Sequence, residues 1–125
     1  MKKIIIDTNF ILACLRQKID FFEDLKFMGY KLIIPIQVKR ELERITNSKQ
    51  KQHHREFAKL GLVLLSKKKA EFESIDLESR YVDKGIRKFA KENSGVIVAT
   101  LDRELKKSLE NNKVVIKDRK KLEVI

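Results

Sequence analysis

Ile4-Ile5-Ile6 running directly into Asp7 restricts this chain more than any other segment. Three β-branched side chains in a row are stiff at χ1 and favour extended backbone. Odd and even positions are both apolar, so both faces of the strand must be covered. That is the pattern of a central strand in a parallel sheet. Asp7 then falls at the strand's C-terminal end, the edge of an open α/β sheet where ligands and catalytic groups collect. Asp7 or Thr8 is also a good cap for a following helix, since both residue types accept from free helical N–H groups. Alone, the segment favours capping; the choice turns on where the other carboxylates lie.

The rest of the chain alternates in period. Residues 10–15 read as a short apolar helix or turn. Residues 19–28 carry Ile19, Phe22, Leu25 and Phe27 at roughly helical spacing, with Gly29 placed as a stop. A second strand, residues 31–35, ends at the only proline. Residues 36–48 form a helix with Val38, Leu42 and Ile45 at i, i+4 and i+7. A third helical stretch covers 50–65 through Phe57, Leu60 and Leu64. Gly61 offers a break there, since glycine costs about 1 kcal/mol against alanine. Adjacent helical residues point about 100° apart, so His53 and His54 cannot grip one metal and belong to the surface. Residues 66–77 have the weakest pattern, with a short edge strand at 72–75. Residues 79–92 are an amphipathic helix through Val82, Ile86, Phe89 and Ala90. Residues 96–99 are an apolar strand, 102–112 a helix through Leu105 and Leu109, and 114–116 a last buried strand before a basic tail. Strands alternating with helices make βαβ units. The expected architecture is α/β, a three-layer sandwich with a central, mainly parallel sheet. A length of 125 residues fits one domain over 1–125.

Charge adds a direction. Lys and Arg number 29 against 18 Asp and Glu, a formal net charge of +11. Such an excess attracts polyanions, nucleic acid first, although a Lys-rich surface is also a thermophile trait. Cys14 is the only cysteine. It excludes an intrachain disulfide, fits a reducing compartment, and in its apolar run reads as a small core residue rather than a nucleophile. No apolar stretch approaches the roughly 18 residues of a membrane span, and the first strand leaves no room for a signal peptide. The expectation is a cytoplasmic protein with no membrane partner.

The carboxylates decide the site. Asp102, like Asp7, directly follows an apolar strand. Glu41 lies three residues after Val38 and four before Ile45, along the stripe that faces the core. Asp83 borders the apolar face of its helix beside Val82. Each has a bland alternative: Asp102 as a helix cap, Glu41 paired with Lys39 or Arg44, Asp83 paired with Lys84 or Arg87. All four placed inward by chance is a far weaker explanation. Two unit charges about 4 Å apart cost about 4 kcal/mol at an effective dielectric of 20, so a converging cluster needs protons or a cation. Oxygen-only donors suit a hard ion such as Mg²⁺ or Mn²⁺. Held on a basic protein, such an ion implies phosphodiester chemistry.

Four segments carry a family resemblance: Ile6-Asp7-Thr8-Asn9-Phe10-Ile11-Leu12, Ile34-Pro35-Ile36-Gln37-Val38-Lys39-Arg40-Glu41-Leu42, Val82-Asp83-Lys84-Gly85-Ile86 and Ala99-Thr100-Leu101-Asp102-Arg103-Glu104-Leu105. In order and spacing they resemble the acidic motifs of PIN-domain nucleases, over nearly the whole chain, and most nearly the small single-domain forms: VapC-type toxins and PIN proteins of ribosomal RNA processing. The runs 20–25 and 114–119 tilt the resemblance to the second branch. The resemblance implies a metal-dependent endoribonuclease with Asp7, Glu41, Asp83 and Asp102 as metal ligands. Asn9 and Thr100 would support them by hydrogen bonding to carboxylates or to water on the metal. Glu104 is a loosely held fifth acid, and Arg103 and residues 49–55 are candidate RNA contacts. The implied partners are RNA, an antitoxin and a homodimer mate on the toxin branch, or a pre-ribosomal particle on the other. Preference for RNA over DNA rests on the resemblance alone. Two positions depart from the pattern: Lys84, where relatives are often acidic, and Leu101, where they are often polar. The main alternative is a non-catalytic RNA-binding or assembly module. A phosphatase or phosphoacceptor domain also begins with an Asp after its first strand, but neither accounts for the helices bearing Glu41 and Asp83.

Overall fold

The structure, a computed structural model, describes residues 2–125. The chain runs β1 (Lys3–Ile6), α1 (Thr8–Arg16), α2 (Phe21–Phe27), β2 (Lys31–Pro35), α3 (Ile36–Thr46), α4 (Gln52–Lys67), β3 (Phe72–Ile75), α5 (Val82–Glu92), β4 (Ile97–Ala99), α6 (Arg103–Lys107), β5 (Lys113–Lys117) and β6 (Lys121–Val124). The strands form one six-stranded sheet in the order β3-β2-β1-β4-β5-β6. Ile4 and Ile5 pair with Leu32 and Ile33 on one side and with Ile97 and Val98 on the other, which makes β1 central. Ile4, Ile5 and Ile6 are fully buried, as a strand covered on both faces requires. Every pairing is parallel except β5 with β6.

From β1 the chain moves through β2 to β3 on one side, then crosses back to β4 and β5 on the other. Right-handed crossovers put α1 to α4 on one face and α5 with α6 on the other. The packing agrees: α4 lies against α3 and α1, while Arg87 Nε on α5 donates to Ser108 Oγ at the end of α6 at 3.0 Å. Phe21 stacks on Phe22 and meets Phe10 edge-on, filling the core on the α1–α2 side.

Several elements differ from the sequence reading. Helix α6 stops at Lys107 instead of reaching residue 112. Asn111 is the reason: its buried amide donates to the carbonyls of Ala90 at 3.1 Å and Val96 at 2.9 Å, pinning the α5–β4 turn and drawing its own segment out of the helix. The basic tail, Lys117 to Lys121, is in fact the end of β5, a tight turn and the first residue of a hairpin partner, β6. Leu122 is buried and Val124 half-buried while Lys121 and Glu123 are exposed. That period-two signal was hidden by the charge. Phe27 is 90% exposed rather than buried; Phe21 and Leu25, four residues apart, form the inward stripe of α2. On α4 the buried stripe is Ala58, Gly61 and Leu65, and Leu60 points outward.

Helix α4 passes through Gly61 without a break. A methyl group there would sit 3.5 Å from Leu15 Cδ1 and Leu42 Cδ1 and 3.6 Å from Ile11 Cγ2, all ordinary contacts. Gly61→Ala therefore gains helix propensity at no steric cost. It is expected to stabilise the fold by up to about 1 kcal/mol, read as a higher urea midpoint with an unchanged m-value.

Candidate metal centre

The strand order reverses between β1 and β4, and a crevice outside the carboxyl ends of such strands is where open α/β sheets take ligands. Asp7 and Thr100 each immediately follow one of these two strands. The Asp7 N–H donates to Ala99 O at 2.9 Å, continuing the β1–β4 ladder one residue beyond the strands. Asp7 also caps α1: its Oδ1 accepts from Thr8 N at 2.8 Å. Its Oδ2 accepts from Thr100 Oγ1 at 2.6 Å. The Thr100 hydroxyl in turn accepts from Asp102 N at 3.1 Å, so one buried side chain fixes both acidic loops. Asn9 Oδ1 accepts from Leu101 N at 3.0 Å and holds the same loop from the α1 side. Asp102 Oδ1 caps α6, accepting from Glu104 N at 2.9 Å and Leu105 N at 3.2 Å. Both aspartates thus cap a helix while Thr100 ties their loops together.

Burial, the largest influence, pushes the Asp7 carboxyl up to about 6 from an ordinary 3.8. The hydrogen bonds from Thr100 and Thr8 oppose the rise, and the charges of Glu41 and Asp102 add to it. Helix α3 therefore brings Glu41, half-buried, into the field of Asp7. Asp83 is exposed in the first turn of α5, which begins on the same edge of the sheet; its charge is not among those acting on Asp7. Glu104 and Arg103 are exposed in the first turn of α6. His53 and His54 stack on one another at 4.2 Å at the start of α4. Cys14 is fully buried and its thiol is pushed up to about 12 by that burial, so it is inert packing.

Among the described residues, no three carboxylate, imidazole or thiolate side chains form a closed metal cage. The donor set still fits a hard cation. It is oxygen-only, its central carboxylate holds a proton unusually well, and the charges of Glu41 and Asp102 reach it. Thr8 Oγ1, next in sequence to Asp7, is buried with no partner among the described residues. A concavity of about 600 Å³, lined by Lys2, Lys3, Glu73, Phe89 and Gly95, opens beside the start of β1 and contains none of these carboxylates.

Two positioning residues escaped the sequence reading. Buried Gln37 donates from Nε2 to Asp76 Oδ1 at 2.7 Å and accepts at Oε1 from Leu77 N at 3.1 Å. This clamp ties the start of α3 to the loop after β3, and so orients the helix that bears Glu41. The backbone N–H of Glu78, then Gln37, hold the Asp76 carboxyl below its usual range. Nothing in a lone Gln flanked by apolar residues announces a partner 39 positions away.

The PIN-like domain family matches residues 4–121. Ribonuclease VapC4 of Methanocaldococcus jannaschii is 33% identical over 130 residues, spanning 99% of this chain and 97% of that protein. The PIN domain endonuclease Utp24 superposes with a TM-score of 0.76 at 29% identity, covering 98% of this chain and 90% of its own. A domain of a functionally unknown protein from the same Methanocaldococcus species superposes at 0.62 and 21% identity over 100% and 99% of the two chains, a likeness of fold. With its acidic loops gathered at the β1–β4 reversal and a family match that runs through all of them, this chain belongs to the PIN-like domain family.

Proposed function

We propose that this protein is a metal-dependent endoribonuclease. The observation that carries the proposal is the carboxylate of Asp7, buried at the strand-order reversal, locked by Thr100 and raised to about 6 within the fields of Glu41 and Asp102. A pocket that disfavours a bare charge and gathers like charges suits neutralisation by a cation. In this reading Asp7, Glu41 and Asp102 hold Mg²⁺ or Mn²⁺, with Asp83 approaching from the start of α5. When bound, the ion supplies charge neutralisation at the scissile phosphate and a lowered water pKa. Thr100 orients Asp7, and Asn9 keeps the Asp102 loop in register with it. The net charge of +11 supports a polyanionic substrate. The names of VapC4, a ribonuclease, and Utp24, an endonuclease, support nuclease activity, and the first supports RNA. The biological setting is either rRNA processing in a pre-ribosomal particle or a dimeric toxin silenced by an antitoxin, in both cases in the cytoplasm.

Incubation with structured RNA in Mg²⁺ or Mn²⁺, beside an EDTA control, tests the reading. Cleavage that requires the metal is expected. RNA binding without cleavage at any metal concentration would replace the enzyme with an RNA-binding assembly module.

A further inference from the structure

Beside the acidic loops lies a second concavity of about 590 Å³. One wall is Leu101, the residue between Thr100 and Asp102, so the groove begins where the carboxylates end. Val115 and Ile116 of β5 also line it. The rim is basic: Lys106 of α6, Lys117 at the end of β5 and Lys120 in the β5–β6 turn. None of these three ammonium groups is ion-paired among the described residues. Asp118 is the single carboxylate in the lining, and Gln17 closes the far side.

Lys120 is the telling position. Lys117 pairs with Lys121, so the hairpin turns through three residues, Asp118–Lys120, a short 3-10 turn. Three-residue hairpins place their last residue in the left-handed region, where glycine sits without strain. Here that residue is a lysine, at φ 61°. A lysine accepts a conformational cost there that glycine would not incur. Lys18 and Glu78 adopt the same backbone conformation elsewhere; at Lys120 the side chain also lines the groove.

We propose that this groove binds the substrate strand flanking the scissile bond. Lys106, Lys117 and Lys120 hold successive phosphates, and Leu101, Val115 and Ile116 support a sugar or base. The inference rests on the nuclease reading and extends it: the occupant is a single-stranded RNA segment leaving the carboxylates toward the β5–β6 hairpin. Single strands suit an apolar lining with a basic rim, since their bases are free to pack while their backbone is neutralised.

The test uses the full chain carrying Asp7→Asn, so that RNA stays intact, and a fluorescent single-stranded RNA in a salt series. Lys106→Gln, Lys117→Gln and Lys120→Gly are each expected to weaken binding about three- to tenfold and to reduce the log–log salt slope by about 0.7. Lys2→Gln, at the start of β1, is the control and is expected to leave both unchanged. Lys120→Gly is also expected to melt no lower than its parent, because glycine relieves the left-handed backbone; weaker binding in an equally stable protein separates a binding role from a structural one. The proposal is overturned if the three variants bind like Lys2→Gln, or if Lys2→Gln loses as much as they do. Metal-dependent cleavage by the wild-type chain alongside unaffected variants would remove the groove alone, whereas a wild-type chain that neither binds nor cuts RNA would remove the nuclease reading with it.

Discussion

Asp7→Asn is expected to abolish RNA cleavage and, at neutral pH, to raise the melting temperature. The first effect follows from removing the central carboxylate of the proposed centre; loss of a metal ligand's contribution of several kcal/mol means at least about a thousandfold in rate. The second follows from burial. In the folded chain the Asp7 carboxyl keeps its proton up to about 6, whereas its ordinary value is 3.8. Between those values the folded state binds more protons than the unfolded state. Stability therefore falls as pH rises through the window, and the penalty is complete above it. Two pH units correspond to at most about 3 kcal/mol, for a side chain in a residue only 5% exposed. Asparagine carries no charge but keeps one acceptor for the bonds now made by Thr8 and Thr100, so about 1 kcal/mol is lost in return. The net gain is roughly 1–2 kcal/mol, or about 3–6 °C in Tm near pH 8.

Thermal melts across the pH range check this directly. The advantage of the variant should shrink as pH falls through this window and be gone below about pH 3, where the Asp7 carboxyl is neutral in the folded and unfolded states alike. Added Mg²⁺ or Mn²⁺ should reverse the order at neutral pH. An ion at 100 times its dissociation constant stabilises the wild type by about 2.7 kcal/mol and has less to hold in the variant. Below about pH 6 protons compete for the same oxygens, so the wild type should lose this metal effect. A variant that melts lower than wild type at pH 8 without metal would show that Asp7 is a structural anchor, not a strained ligand.

Gly85→Ala is expected to be the most damaging single-methyl change in the chain. Its methyl carbon would lie 2.8 Å from Leu77 Cβ, 2.9 Å from Leu77 Cδ1 and 3.1 Å from Ser79 Cβ. Leu77 is buried, and its backbone N–H is held by Gln37; a Cβ cannot rotate away as a side-chain tip can. Overpacking of this kind costs about 1–3 kcal/mol, more than the roughly 1 kcal/mol that alanine gains in a helix. A net loss of up to about 2 kcal/mol, or up to about 8 °C in Tm, is expected. The relief must come from α5 moving off the loop, which shifts Asp83 as well. A double-mutant cycle with Leu77→Ala separates causes: if the clash is responsible, Gly85→Ala should cost less in the Leu77→Ala background than alone. Additive costs would reject the steric account. Gly61, on α4, is the counterpart, a helical glycine whose neighbours leave room for the methyl group.

Much of this arrangement is legible in local pattern. Ile4-Ile5-Ile6 and Ile97-Val98-Ala99 announce strands covered on both faces, because short apolar runs rich in β-branched residues suit extended backbone. Asp7 follows β1 directly and Asp102 lies three residues beyond β4, so parallel pairing brings both to one edge of the sheet. Glu41 sits on the apolar stripe of α3, and helical periodicity turns it inward.

The remainder depended on contacts distant in sequence. Position along a helix did not reveal that Asp83 stays exposed while Glu41 reaches the field of Asp7. That depends on how α3 and α5 dock, and docking is set by Gln37 with Asp76 and by Leu77 against Gly85. The end of α6 was misjudged because Leu105 and Leu109 keep helical spacing, yet Asn111 is worth more to the fold bonding the carbonyls around Asn93 than continuing a helix. The β5–β6 hairpin was missed because its apolar alternation is short and its turn is written in Lys rather than Gly. Sequence by itself determined the first five strands and the two aspartates beyond β1 and β4, since those follow from periodicity and burial within a few residues. Only the tertiary structure decided which carboxylates share a field and which lysines share a groove, because electrostatic and packing energies act through space between residues that the chain separates by up to 95 positions.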